Sequence, residues 1–448
     1  MTISYILIVV LLLHIIIFKK MIFKWNLFGV FFIATILFST FGILAFPFIK
    51  SYVAKEFWTF NLKVITQQDI VKTQLIAVSG LLMVLYAYVA GIMLRHRRLA
   101  CISHFNIQGE IKDNLNRTNF YFIVILIGVF LFFYLLMKRE VLVTGFFDGL
   151  LSRQPDALFV SRRGITSNYL YVVTTYNLLP FLTIVSLYLA MKQRDLFSKL
   201  LFIGLLLLSF ILTILLFQKR PLVIFLLATM LAAFVFRKNI PTVRLKKVRS
   251  KKATRRRNII YLSLIFALLL LLYYSATTYK FDTIFEAVGR LTEVVLTRVF
   301  GRLSIPAFFY VHYYPAVDGH YGFTNIGLFS KIFRFEHYAD SRVLFDHFSL
   351  NKKGGSLAIN SIMDFYGAFG YIGLIIGNIF LGFLLALVDS FLNKLEKNNI
   401  NLVFIIFCFV FSYYLSQASL PRSLLGYGFF FFALLWAYLQ KGFKIKLR

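Results

Sequence analysis

The sequence predicts an all-α polytopic membrane protein with about 11 transmembrane helices. Three observations predict it. First, 60% of the 448 residues are hydrophobic and only 15% are charged, more apolar surface than one or two soluble cores can hide. Second, apolar runs of about 20 residues, enough to cross a bilayer, recur along the chain between short charged clusters. Third, the basic clusters fall in alternate connections, the pattern of a multi-pass protein with its Lys and Arg held on the cytoplasmic side.

The expected spans, in order, are 3–18, 26–48, 73–94, 119–136, 169–191, 200–217, 221–236, 258–276, 370–392, 400–417 and 424–440. The first lacks a basic residue before its apolar core and a small-residue cleavage site, so it reads as a retained helix. The seventh is short, and Pro221 before it marks either a new span or a kinked pair. Inside connections carry KKMIFKW, RHRR, the Lys192–Arg194–Lys199 group, and RKNIPTVRLKKVRSKKATRRR with eleven Lys and Arg. Lys394, Lys397 and the KGFKIKLR tail follow. This places the N-terminus outside and the C-terminus inside; Asp389, whose side is left open, is counted with the outside. The chain then divides into 1–276 (transmembrane helices 1–8), 277–369 (one large external loop) and 370–448 (helices 9–11 and a tail). The late loop holds eight of the 18 acids and four of the seven histidines, and a long connection of mixed polarity is where function is to be sought.

The net charge of +31 has its first explanation in that orientation, and no nucleic-acid motif accompanies it. Cys101 and Cys408 form no recognisable zinc or disulfide pattern. There is no Walker loop, no GxSxG, no dinucleotide fingerprint and no HExxH. No DxD-like acidic pair stands near the first outer loop, so no metal or cofactor is expected. No internal repeat points to inverted-repeat transport.

What remains is a set of charges placed outside, against the inside bias. Lys219 and Arg220, in LLFQKRPLVIF, either snorkel to headgroups or bind an anion. Arg290, Arg298 and Arg302, in VGRLTEVVLTRVFGRLSIPAF, fall near one face of an interfacial helix, touching headgroups or holding a diphosphate. Arg162 and Arg163 precede the fifth span as a surface pair or as part of a basic ring. Arg422 stands alone in the tight SLPRSLLG turn. Of His312, His320, His337 and His347, a wet loop side chain is the ordinary role for each. His347, close to Arg342 and Asp346, is the best placed as a general base. Asp364, in INSIMDFYGAFGYIGLIIGN, either favours a helix macrodipole or meets an arginine or a sugar hydroxyl. Phe309, Tyr310, Tyr313 and Tyr314 either stack on sugars or pack the loop onto the bundle.

Four segments resemble the bacterial Wzy-like O-antigen and enterobacterial-common-antigen polymerases, which join oligosaccharide repeat units. They are the helix pair with Arg220 at its outer turn, TRVFGRLSIPAFFYV, GGSLAINSIMDFYGAFGYIGLIIGNIFLG, and PRSLLG. The resemblance implies a GT-C-like helical glycosyltransferase of the inner (cytoplasmic) membrane, acting on its periplasmic face. Its substrate would be an undecaprenyl-diphosphate-linked oligosaccharide, polymerised into a surface polysaccharide such as the O-antigen of lipopolysaccharide. Arg220, Arg298, Arg302, Arg422 and Arg163 would hold the diphosphate; His347 and Asp364 would serve the acceptor hydroxyl. Membrane lipids, a chain-length regulator and a flippase would be partners, and nucleic acid would not. The arginine-to-glycine pattern of some members is not met, since eleven residues after Arg342 stands Lys353. O-antigen ligase shares the architecture and the arginine requirement, and a lipid-linked oligosaccharide flippase is the alternative without chemistry.

Overall fold

A computed structural model of the chain describes residues 2–56, 60–96, 111–145, 155–215, 219–239, 304–350 and 359–441, with a few single positions between them. Every regular element among the described residues is helical. We label them α1 (Thr2–Ile17), α2 (Leu27–Lys50), α3 (Gln67–His96), α4 (Arg117–Met137), α5 (Pro155–Ile165), α6 (Tyr169–Gln193), α7 (Leu196–Leu215) and α8 (Lys219–Asn239). After these come α9 (Ile305–Tyr313), α10 (Gly327–Phe333), α11 (Asp340–Phe348), α12 (Ser361–Lys394), α13 (Asn399–Leu415) and α14 (Phe429–Tyr438). Six of them, α2, α3, α4, α6, α7 and α12, are long and apolar enough to cross a membrane. The expected spans at 3–18, 221–236, 400–417 and 424–440 coincide with shorter apolar helices, and 258–276 lies outside the described residues. The protein is therefore a multi-pass membrane protein.

The surfaces are those of a bilayer-embedded bundle. On α12, Tyr371, Ile372, Ile375, Ile376, Ile379, Phe380, Phe383 and Leu387 recur at helical spacing and are exposed. Gly373, Leu374, Asn378, Leu381, Gly382, Leu385 and Ala386 of the same helix are buried. An apolar stripe turned outward, with small and polar residues inward, suits lipid rather than water as the solvent. The main seam joins α3 to α12. A Cβ on Gly80 would stand 2.4 Å from Ile362 Cγ2, one on Gly382 would stand 2.5 Å from the Val84 carbonyl oxygen, and one on Gly91 would stand 2.8 Å from Ala386 Cβ. Small residues let the two backbones approach, which maximises dispersion contact where no hydrophobic drive exists.

Helix starts are set by asparagine. Asn26, Asn116, Asn168, Asn360 and Asn398 each accept a hydrogen bond from a main-chain N–H of the following turn, and so begin α2, α4, α6, α12 and α13; each such cap stabilises by about 1 kcal/mol. Asp389, fully buried, accepts from the N–H groups of Leu27 and Phe28 at 2.9 and 3.3 Å and from the Tyr88 hydroxyl at 2.9 Å. Its charge is met by the positive end of α2. Asp389 thus lies at the end of the bundle where α2 starts.

At the other end, Ser304 and Asn360 bond to Ser39, and Ser361 bonds to the carbonyls of Leu415 and Ala418. This end carries residues 304–360, and we call it the loop face. The described part of the large loop is three short helices closed around an aromatic core. Phe309 stacks on Phe348 at 4.2 Å, and Phe309, Tyr310, Tyr313 and Tyr314 are all buried. These four aromatics pack the loop onto the bundle; they are not a sugar platform.

Candidate functional site

A cavity of about 690 Å³ opens on the loop face, lined by residues that include Tyr169, Lys331, His337, Asp340, Arg422 and Phe430. Two local features build it. Residues Arg422–Gly426 form a π-helical turn between α13 and α14, an arrangement frequent at functional sites. That turn ends at Gly428, whose φ of +73° and closeness to Asn177 leave no room for a side chain. The start of α11 supplies Asp340. Behind this lining, α12 is kinked. Phe369 and Gly370 leave the helical region there, with Gly370 at φ +63° and ψ −144°. The kink divides α12 into a short arm, Ser361 to Ala368, and the long apolar arm. Asp364 sits in the first turn of the short arm.

The polar groups are arranged as one cation against two carboxylates, each carboxylate held by a phenol. The Tyr310 hydroxyl donates to Asp340 Oδ2 in a short hydrogen bond. The Tyr321 hydroxyl donates to Asp364 Oδ1 at 2.9 Å, and Asn325 Nδ2 donates to the same oxygen at 3.3 Å. Burial pushes both phenols well above the ordinary tyrosine range, and the carboxylate each one serves adds to the effect. They therefore act as fixed donors, which holds the acids in place. Burial opposes the charge on Arg422, but Asp340, Tyr427, Tyr310 and Asp364 outweigh it and keep the guanidinium ionised. Arg422 is enclosed by the site yet accessible, because the surface it shows is cavity wall. Its Nη2 donates to Ser341 Oγ at 3.3 Å. Among the described residues that is its one side-chain hydrogen bond, and no carboxylate lies within ion-pair distance. A guanidinium has further N–H donors in a fork, and here they remain for a ligand.

The expected site residues are placed unevenly. Arg422 and Asp364 come together electrostatically in this cluster. His347 does not join them: it is exposed, its ring against Tyr313 at 5.0 Å, and it bonds neither to Asp364 nor to Arg422 among the described residues. Its neighbours Arg342 and Asp346 form a 3.8 Å pair, each more than half exposed, an arrangement that contributes little. Arg163 is exposed in the last turn of α5, where a cation suits the macrodipole. Arg220 lies in the first turn of α8, its side chain outside the described residues, as are Arg298 and Arg302. Of the other histidines, His312 donates to Asp69 at 2.9 Å, His320 donates to the Gly367 carbonyl at 3.1 Å, and His337 lines the cavity.

Sequence reasoning missed Asp340, Tyr321, Asn325 and Lys331. Asp340 begins a helix in YADSRVLF, a position any acid favours, so nothing local marks it. No family model matches the chain, and neither a curated protein nor a solved structure does.

Proposed function

We propose that this protein is a polysaccharide repeat-unit polymerase. It would join undecaprenyl-diphosphate-linked oligosaccharides by glycosyl transfer on the periplasmic face of the inner membrane, with the basic end of the bundle in the cytoplasm. The observation that carries the proposal is Arg422, an ionised guanidinium with unused donors, standing in one cavity with the Asp340 carboxylate. Glycosyl transfer from a lipid diphosphate needs both functions: a cation for the leaving diphosphate and a carboxylate for the acceptor. The rest of the lining supports a lipid-borne donor. Tyr169 and Phe430 are exposed, and they stand at the loop-face ends of α6 and α14. An amphiphile can thus place its headgroup at Arg422 and Lys331 while its chain stays in the bilayer.

In this mechanism the acceptor sugar hydroxyl attacks the anomeric carbon of the donor. The bond from that carbon to the diphosphate oxygen breaks, and lipid diphosphate leaves on Arg422. Asp340, which lines the cavity and is held at Oδ2 by Tyr310, takes the hydroxyl proton. Asp364, held by Tyr321 and Asn325, lies behind the lining and positions Asn325 at the cavity. Arg220, Arg298 and Arg302 extend the diphosphate site in accordance with the family resemblance.

The test is reconstitution. Purified protein in bilayers with a lipid-linked repeat unit is expected to yield a ladder of longer glycans. Arg422→Ala and Asp340→Asn are expected to abolish the ladder at unchanged protein levels. Transfer to a lipid A core, with no ladder, would make the protein a ligase. Neither product in a bilayer of suitable composition would sink the proposal.

A further inference from the structure

The segment 323–335 shows the bundle's oddest surface. Phe329, Ile332 and Phe333 of α10 are exposed, and so are Phe323 before it and Phe335 after it. The four phenyl rings form a row. Phe323 to Phe329, Phe329 to Phe333 and Phe333 to Phe335 are spaced 5.9, 5.9 and 6.0 Å, with planes tilted by 20°, 19° and 21°. The row does not end in solvent. Phe323 meets Phe369 edge-on at 4.8 Å, and Phe369 stands at the α12 kink. One turn further along α12 comes the lipid-facing stripe of Ile372 and Ile376, which are 70% and 63% exposed. The phenyl row is therefore a sideways extension of a surface already turned to lipid. Two cations, Lys331 and Arg334, are exposed among the phenyls, and Lys331 also lines the cavity. Exposed aromatics beside Lys and Arg are the composition of a segment lying in a membrane interface.

We propose that residues 323–335 are immersed in the lipid leaflet on the loop face, phenyl rings among the acyl chains and Lys331 and Arg334 at the height of the lipid phosphates. In that position α10 is one jamb of a lateral portal, with the ends of α6 and α14 as the other, and an amphiphile reaches the cavity by sliding within the leaflet. The proposal rests on the membrane character of the protein and not on the polymerase reading, and its readout needs no activity.

Nitroxide labels at Phe333→Cys and, separately, Ile332→Cys measure it in the full-length protein. Cys101 is changed to serine for this purpose; Cys408 is fully buried. The protein is placed in nanodiscs of phosphatidylethanolamine and phosphatidylglycerol. Power saturation then compares collisions with oxygen, which concentrates in acyl chains, and with a water-soluble nickel chelate. Both labels are expected to be several-fold more accessible to oxygen than to nickel, matching a label at Ile372→Cys. Labels favouring nickel, as at Asp318→Cys on the water side, would overturn the proposal. Lys331→Glu with Arg334→Glu is expected to raise nickel accessibility at residue 333 in the same nanodiscs; no change would overturn the phosphate contact.

Discussion

Replacing Gly370 with alanine tests what holds the kink in α12. Gly370 holds φ +63° and ψ −144°, a region that is essentially glycine's alone. Forcing another residue into it costs about 1–3 kcal/mol. The added methyl carbon would also stand 2.7 Å from His320 Nε2 and 3.3 Å from two ring carbons. That imidazole cannot swing away freely, because its Nδ1 is bonded to the Gly367 carbonyl. Giving up this bond removes about 0.5–1.5 kcal/mol more. Gly370→Ala is thus expected to destabilise by about 2–4 kcal/mol in total. Equilibrium unfolding in mixed micelles, titrated with a denaturing detergent and followed by tryptophan fluorescence, measures the loss. Because His320→Ala removes the obstacle but not the strained backbone, the double variant is expected to lose less than the sum of the singles, by about 0.5–1.5 kcal/mol. A Gly370→Ala protein within about 0.5 kcal/mol of wild type would show that the kink is not imposed by glycine.

Three further outcomes follow from the same geometry. Asp389→Ala strands two main-chain N–H groups and the Tyr88 hydroxyl at the start of α2, and in the same titration it is expected to lose about 2–5 kcal/mol. Folding stability is expected to hold up to about pH 10 and to fall beyond it: buried Tyr310 and Tyr321 keep their protons there while the unfolded chain releases its own. Tyr321→Phe should make that alkaline decline shallower, which unfolding titrations at stepped pH read directly. In the reconstituted glycan assay, His347→Ala is expected to leave the product ladder intact, whereas Asp340→Asn lowers the rate by about 10²–10⁴-fold; the reverse order would return the base to His347.

The membrane helices were legible because the length and apolarity of a run are local properties. Ile372, Ile375, Ile376 and Ile379 announce a lipid-facing helix without reference to any other part of the chain. The start of that helix was not legible: the expected span begins at 370, whereas the helix begins at Ser361 and passes through the Phe369–Gly370 kink. What the loop contains was not, because nothing in the sequence says that Phe309 will stack on Phe348 rather than on a sugar. Arg422 and Asp364 stood out as charges beside apolar runs, where a charge needs a reason. Asp340 is one acid among several in a mixed-polarity loop, and only the folded chain brings Tyr310 and Arg422 to it. His347 was chosen for its sequence neighbours, and those neighbours pair with each other across one exposed turn.

The α3–α12 seam has a mechanical consequence. Backbones locked at Gly80, Gly91 and Gly382 cannot slide or roll without collision, so this pair stands as a mast running through the bundle. Asp364 is bolted to it. The cavity touches this mast only at second hand, through Asn325, which lines it and bonds the Asp364 carboxylate at 3.3 Å, while Lys331 on α10 and Phe430 on α14 stand in its walls directly. The walls that face a ligand are thus carried by short elements, and the long helix pair stands behind them.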